Sequence, residues 1–204
     1  IVFATGPLAG ARVCGSTRVN VLSLSPETTG IFTSQGGGEF GPDIKRAGFD
    51  ALVITGASAT PVYLDIRNDR VAFADAAALW GLDRRQAYDR LNADAPGNVS
   101  IATIGPAGEN KVRHANIMFE PDHYAGRGGL GLVMAAKNMN FLKVHGSSAI
   151  PLFDKSELKQ AREEIFRLAS AAPVLMGDLG LTHYGTAALF DLIHNRRMMP
   201  TANF

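Results

Sequence analysis

The sequence predicts an α+β fold made by duplication. Two similar units of strand, glycine loop, helix and strand pack about an approximate two-fold axis, and they lead into the start of a helical region. Three observations predict it. The spacing G-x-G-x-x-G occurs at Gly36, Gly38 and Gly41 and again, ninety residues on, at Gly126, Gly128 and Gly131. The segments just after the two loops also match: KRAGFDALVITG at 45–56 parallels AAKNMNFLKVHG at 135–146, and Pro61 parallels Pro151. Strand-like clusters of β-branched and aromatic residues run to Gly146, and helical periodicity takes over beyond it.

Taken in order, Val, Ile, Leu, Phe and Tyr cluster between Gly, Pro or Asn-Asp breaks at 1–5, 18–24, 50–55, 61–67 and 70–74, which predicts strands there. Further strands fit 99–104, 112–119 and 140–145. Short helices fit 41–47, 75–80, 83–94 and 129–138, and a last one fits 184–195. A longer helix is predicted over 154–171, where Asp154 or Ser156 can cap the first turn. Along it Leu158, Ile165, Leu168 and Ala169, with Ala161 between, fall near helical spacing, while Lys155, Lys159, Glu163 and Arg167 take the other face. Such a helix is expected to cover apolar surface.

Upstream the repeat continues more loosely. Ala4-Thr5-Gly6-Pro7 resembles Thr103-Ile104-Gly105-Pro106, and Arg18-Val19-Asn20 resembles Arg113-His114-Ala115-Asn116, at offsets that loop insertions would shift. The domain boundary is placed at Gly146, giving a β-rich domain at 1–146 and a helical remainder at 147–204, joined through Ser147-Ser148-Ala149. Ile1-Val2-Phe3-Ala4 is already a strand, and the stretch ending at Phe204 stops in a turn, so both ends read as cut.

Composition narrows the function. Twenty Lys and Arg against nineteen Asp and Glu give a net charge of +1, with no run of five or six like charges, so neither a nucleic-acid nor a membrane-surface role has electrostatic support. Cys14 is the one cysteine, which excludes an internal disulfide, a thiolate zinc site and an iron–sulfur cluster held by this chain alone. A reducing cytoplasm is the natural compartment. No stretch approaches the roughly 18 apolar residues of a membrane span.

Glycines at this spacing let the backbone adopt positive φ and approach a ligand, while the helix that follows turns its free N–H groups and positive dipole end toward the loop. Phosphate is the expected guest, and two such loops would hold two phosphate-bearing groups or one ligand with two phosphates. Tight turns that merely pack strand on helix would leave the same signature. A dinucleotide fingerprint is a further alternative, but it needs a preceding parallel strand and an acidic residue about 20 positions on. Glu120-Pro121-Asp122 interrupts the approach to the second loop, and no Asp or Glu lies between Gly131 and Asp154.

GPLAG at 6–10, STRVNVLSLSP at 16–26, GGGEFGPDIKRAGFDALVITG at 36–56, PVYLDI at 61–66, LWG at 79–81, IGPAGEN at 104–110, AGRGGLGLVMAAKN at 125–138 and YGTAALFDLI at 184–193 together resemble the aldehyde:ferredoxin oxidoreductase family, in order over nearly the whole chain. That resemblance implies an N-terminal domain of two β-sheets related by pseudo-two-fold symmetry. They form a saddle for tungsten or molybdenum held by two pyranopterin dithiolenes, whose sulfurs ligate the metal in place of protein cysteines. It implies that Arg18 meets a pterin phosphate, that Gly36, Gly37 and Gly38 form the first pterin loop, and that Tyr124, Ala125, Gly126, Arg127, Gly128 and Gly129 form the second. A guanidinium fork suits phosphate, combining charge with two directed donors. A Mg ion is implied between the phosphates, held by the backbone carbonyls of Gln35 and Tyr124, oxygen ligands of the kind hard cations prefer.

Two departures from the family pattern stand out: Gln35 where Asn is frequent, and His123-Tyr124 where an Arg-Ala pair is common. His123 is a candidate phosphate contact or simply a loop residue, as Arg18 and Arg127 could be plain surface charges. Glu109 and Asn110 either bond the neighbouring pterin loop or close their own turn. Trp80 reads as packing, and His183, Tyr184 and Thr186 receive no role. By the resemblance, the full enzyme oxidises a small-molecule aldehyde to a carboxylic acid and passes electrons through a [4Fe–4S] cluster, held beyond this segment, to ferredoxin. A homodimer is compatible with it. A non-catalytic saddle-fold scaffold subunit remains the other reading.

Overall fold

The computed structural model describes residues 1–93, 99–120 and 122–201. Its first strand, β1 (Val2–Thr5), pairs with β2 (Val19–Leu24), and β2 pairs with β3 (Ile31–Gly36). After α1 (Phe40–Arg46) the chain returns as β4 (Ala51–Val53) to the other edge of β1. The sheet order is β3-β2-β1-β4, antiparallel at every step. Alternation in β2 explains its seating: Val19 and Val21 are fully buried, whereas Leu22 and Leu24 face outward.

A hairpin of β5 (Val62–Arg67) and β6 (Arg70–Asp75) turns through Asn68, which takes the left-handed conformation that Asn tolerates. A 3-10 turn at Ala77–Leu79 and α2 (Arg84–Ala93) come next. The pattern of the first unit then recurs as β7 (Ser100–Thr103), the short α3 (Pro106–Glu109), β8 (Ile117–Phe119), β9 (His123–Ala125), α4 (Leu130–Ala136) and β10 (Met139–His145). In the second sheet β9-β8-β7-β10 repeats, strand for strand, the antiparallel order of the first sheet. The hairpin extends this sheet beyond β10 through a parallel pairing of β10 with β5. The duplication expected from the sequence is thus present in the topology.

The repeat alignment needs one correction. Gly41 and Gly131 are each the second residue of their helix, and each lies against the backbone just before the second strand of its unit. A Cβ on Gly41 would stand 2.9 Å from the Thr17 carbonyl oxygen, and one on Gly131 would stand 2.4 Å from that of Asn116. Thr17-Arg18 and Ala115-Asn116 are the two residues just before β2 and β8, so by position the counterpart of Arg18 is Asn116 and not Arg113. Residues 112–116, expected as strand, form a turn closed by the Ala115 N–H on the Val112 carbonyl.

One core lies between the sheets. Phe3, Phe40 and Phe119 are fully buried, with ring centroids 5.0 to 6.4 Å apart. Phe3 and Phe40 come from the first copy and Phe119 from the second, so this aromatic cluster joins the copies. A smaller core of Ala76, Leu79, Ala87, Leu91, Val99, Ile101 and Phe141 seats α2.

The residues of Ile1–Pro151 form one compact unit and those of Leu152–Phe204 another. The second contains α5 (Lys155–Ser170), α6 (Pro173–Met176), α7 (Leu181–Tyr184), a 3-10 turn at Gly185–Leu189 and α8 (Phe190–Asn195). Asp154 caps α5 as expected, its carboxylate accepting the Ser156 and Glu157 N–H groups at 2.8 and 2.9 Å. Within its own unit the apolar face of α5 is left uncovered: no residue of this helix is buried, and Phe166 and Leu168 are more than 60% exposed. Helices of four to six residues are too short to lay a continuous partner along sixteen.

Other expectations shift for local reasons. The predicted helix at 75–80 shrinks to the 3-10 turn, and that at 184–195 splits into the second 3-10 turn and α8. Position 94 of the predicted helix at 83–94, Pro121, and 202–204 of the expected terminal turn lie outside the described residues. No single helix among the described residues is long and apolar enough to cross a membrane.

Candidate functional site

Each glycine loop joins the third strand of its copy to the following helix, at Gly36, Gly37 and Gly38 in the first copy and at Gly126, Arg127, Gly128 and Gly129 in the second. Gly38 and Gly128 correspond, and both hold positive φ, +84° and +77°. Residues with a Cβ rarely adopt that conformation, so the backbone demands glycine at this position in both copies; the next position differs, left-handed at Gly129 (φ +65°) and right-handed at Glu39 (φ −94°).

The two loops interlock. A Cβ on Gly36 would stand 2.2 Å from the Phe119 ring, one on Gly37 2.7 Å from the His123 ring, and one on Gly38 2.0 Å from Oε2 of Glu120. Reciprocally, a Cβ on Gly128 would stand 2.3 Å from the Phe32 ring, and one on Gly129 would meet the Arg113 carbonyl oxygen of its own copy first and then Pro26 at 2.7 Å. The backbone N–H of Arg127 donates to Ser34 Oγ at 3.3 Å, and Arg113 donates from Nε and Nη2 to the Pro26 carbonyl. Each loop is therefore shaped by side chains of the other copy.

Val19 pairs with Gly36, so Arg18 flanks the first loop, with its side chain exposed. Gln35 is exposed on β3 in register with Asn20. Tyr124 is half-buried in register with Met118, and Ala125 is buried in register with Ile117. His123 is exposed to solvent but lies over Gly37 and Gly38. Arg127 extends into solvent, and Gly126 is exposed, with nothing within 4 Å of an added Cβ. Among the described residues no group of three His, Cys, Asp or Glu is placed to hold a metal ion.

Two N–H groups at the helix starts, expected to face a ligand, are taken by the protein itself. That of Glu39 donates to both carboxylate oxygens of Glu120, at 3.2 and 3.0 Å, and that of Gly131 donates to the Ala115 carbonyl at 2.9 Å. Burial pushes the Glu120 carboxyl above the usual carboxylate range, and Asp43 adds to this. The Glu39 N–H, the Ser100 hydroxyl and His123 pull it back. Ser100 also donates to Asp43 at 2.7 Å, and Arg46 holds Asp43 at 2.7 Å and Glu39 at 3.1 Å. A polar cleft of about 340 Å³, lined by Glu39, Asp43, Arg46, Tyr88, Ser100 and Glu120 among others, lies behind the first loop.

Sequence reasoning missed Glu120 as a residue that shapes the first loop. The available signal was weak: a carboxylate three residues before the second loop's strand residue His123, at a position where the backbone turns left-handed. Glu109 does neither of the two things expected of it. Its carboxylate accepts the Gly81 N–H at 2.8 Å and Asn140 Nδ2 at 2.6 Å, tying three segments together. The Lys-Asn pair that closes the second motif is also structural. Lys137 donates to the Gly56 carbonyl and Asn138 to that of Ser58, each at 2.7 Å, clamping the connection from β4 to β5. Trp80 is half-buried beside the 3-10 turn, in keeping with packing.

A dinucleotide fold is excluded by the strand that enters GRGGLG. β9 is a three-residue edge strand antiparallel to β8, whereas that motif requires a parallel strand in a βαβ unit. The donor set does fit a phosphate-bearing group. Two exposed guanidinium groups flank glycine turns, and Gly126 leaves open space beside a bare backbone.

Residues 1–146 match the family described as aldehyde ferredoxin oxidoreductase, N-terminal domain. The whole chain is 39% identical to the tungsten-containing aldehyde ferredoxin oxidoreductase of Pyrococcus abyssi and, to the same degree, to that of Thermococcus kodakarensis, covering 33% and 34% of their lengths. It is 32% identical to the aliphatic sulfonate oxidoreductase, WOR-like subunit, of Pyrococcus furiosus, covering 34% of it. The chain thus spans about a third of the length of the curated relatives it matches. Among solved structures, the active-site complex BamBC of benzoyl coenzyme A reductase with 1,5-dienoyl-CoA matches 83% of this chain and 26% of that one, at a TM-score of 0.78 and 32% identity.

Proposed function

From the premise that this chain belongs to the aldehyde ferredoxin oxidoreductase family, we propose that residues 1–146 are the cofactor-cradling domain of a tungsten-pterin oxidoreductase and that 147–204 begin its helical domain. The observation that carries this reading is the reciprocal seating of the two glycine loops, which brings Arg18 and Arg127 to the rims of paired turns. The names of the more similar relatives favour tungsten over molybdenum.

In this reading Arg18 neutralises a phosphate at the first loop, with charge and a forked donor geometry. Asn116, its counterpart, carries no charge, so Arg127 takes that role at the second loop. Bare backbone at Gly126 lets the ligand approach closely. The carbonyls of Gln35 and Tyr124 would hold a Mg ion that neutralises phosphate charge, and His123 holds the first loop in shape. When bound, the pterin-held metal supplies two-electron oxidation of an aldehyde to a carboxylic acid with oxygen from water. A [4Fe–4S] cluster elsewhere in the protein, ferredoxin as acceptor and a cytoplasmic setting complete the proposal. Aldehyde is preferred over sulfonate or a coenzyme A thioester as substrate because the relatives of higher identity bear that name.

The test is metal and pterin analysis of the protein that contains this chain, purified without air, with ferredoxin reduction by short aldehydes as readout. Bound tungsten and pterin with aldehyde-dependent reduction are expected. A protein free of both metal and pterin would be the scaffold reading instead.

A further inference from the structure

Glu120 sits at the end of β8, in the second copy, yet its carboxylate serves the first. It accepts the Glu39 N–H through both oxygens, at 3.0 and 3.2 Å, directly beyond Gly38 and one residue before α1. It also lies against Gly38 so closely that a Cβ there would stand 2.0 Å from Oε2. Glu120 itself holds φ +54°, and its own N–H donates to the Ile101 carbonyl at 3.0 Å, so its backbone is fixed in a conformation that aims the side chain across the copy boundary.

The groups around it do not offer a better partner. Asp43 is committed to Arg46 and Ser100, and Arg46 divides between Asp43 and Glu39. Ser100, His123 and Tyr88, which lines the same cleft, are the remaining polar neighbours. An internal carboxylate therefore fills the place at the start of α1 where a ligand anion was expected. The turn at 36–38 is held by Phe119, His123 and Glu120 of the other copy.

We infer that Glu120 is a positioning residue: by the reach of its side chain it fixes the first glycine loop in the shape that accepts a phosphate-bearing cofactor. This rests on the cofactor-cradling reading of residues 1–146. Reach, rather than charge, is the operative property, because both contacts are contacts of position: acceptance of one backbone N–H and packing on one glycine.

Two mild substitutions separate reach from charge in the protein containing this chain. Glu120→Gln keeps the length and an acceptor oxygen but removes the charge. Glu120→Asp keeps the charge but withdraws the carboxylate by one methylene, out of hydrogen-bond distance of Glu39. Tungsten and pterin content per chain are measured alongside the thermal midpoint, and hydrogen exchange is followed over 36–41.

The expected result is that the Gln form retains at least about half of the wild-type cofactor content, while the Asp form loses about fivefold or more and exchanges faster at 36–41, with thermal midpoints close to wild type. Equal content in both variants overturns the inference. So does a Gln form as poor as the Asp form. If the wild-type protein itself holds no pterin, the cofactor reading fails on that measurement alone. The positioning claim is then judged by exchange, and unchanged protection at 36–41 in the Asp form sinks it.

Discussion

Gly36 and Phe119 meet across the boundary between the two copies, with the Phe119 ring fully buried and 2.2 Å from where a Gly36 Cβ would stand. Forcing an extra methyl into so close a contact strains its surroundings, at about 1 to 3 kcal/mol. Gly36→Ala is therefore expected to lower stability by that amount in chemical denaturation. The Phe119→Leu background should recover part of the loss, because a smaller side chain makes room. Additive effects of the two changes would contradict a direct contact.

Gly41 and Gly131 occupy equivalent sites, yet they are not equally tight. A Cβ on Gly131 would stand 2.4 Å from a backbone oxygen, and one on Gly41 2.9 Å from its counterpart. Both neighbours are backbone and cannot swing aside, so the shorter distance decides, and Gly131→Ala should depress the thermal midpoint more than Gly41→Ala. The reverse order in a calorimetric comparison would mean that the second helix can move off its strand.

Glu109 links Gly81 and Asn140, and burial raises its pKa above the usual carboxylate range, against the pull of those two donors. A carboxyl with a raised pKa in the folded state favours folding most when protonated. That contribution is fully present below the unfolded pKa of about 4.3 and is lost as pH rises through the higher folded value. The stability of wild type relative to Glu109→Gln should therefore fall with rising pH just above the ordinary carboxyl range and be flat near neutrality. Unfolding curves collected across that range decide it, and a relative stability that climbs with pH would show the hydrogen bonds outweighing burial.

Arg18 is exposed and flanks the first loop, so its removal should leave the fold almost untouched, within about 0.5 kcal/mol. Under the cofactor proposal, Arg18→Ala instead lowers bound tungsten and pterin several-fold, and Arg18→Lys lowers it less, since lysine keeps charge without the fork. Full cofactor content in the alanine form would reduce Arg18 to a surface charge.

The repeat was legible in the sequence because glycines at positive φ cannot be replaced freely, so Gly38 and Gly128 persist where side chains around them drift. Strands β3 and β9 were not. Ile31-Phe32-Thr33-Ser34-Gln35 is half polar, and His123-Tyr124-Ala125 is three residues long, so both become strands through pairing with β2 and β8 and not through propensity. The cap at Asp154 was readable because it is local. Glu120 was not, since its partner Glu39 stands 81 residues away and nothing in its own neighbourhood points there. The pairing of Arg18 with Arg113 failed for a related reason: identical residue types attracted an alignment that the strand starts place three residues later.

The crossed seating of the two loops has a consequence for ancestry. Phe119 and Glu120 shape a turn that belongs to the other half, and Phe32 does the same in return. A half-length polypeptide carrying a single copy would leave its glycine turn unsupported and its aromatic wedge without a slot. Phe119 lies on the second strand of its copy and Phe32 on the third of its own, so the two wedges are not equivalent positions and this exchange of support belongs to the fused chain rather than to a single-copy ancestor.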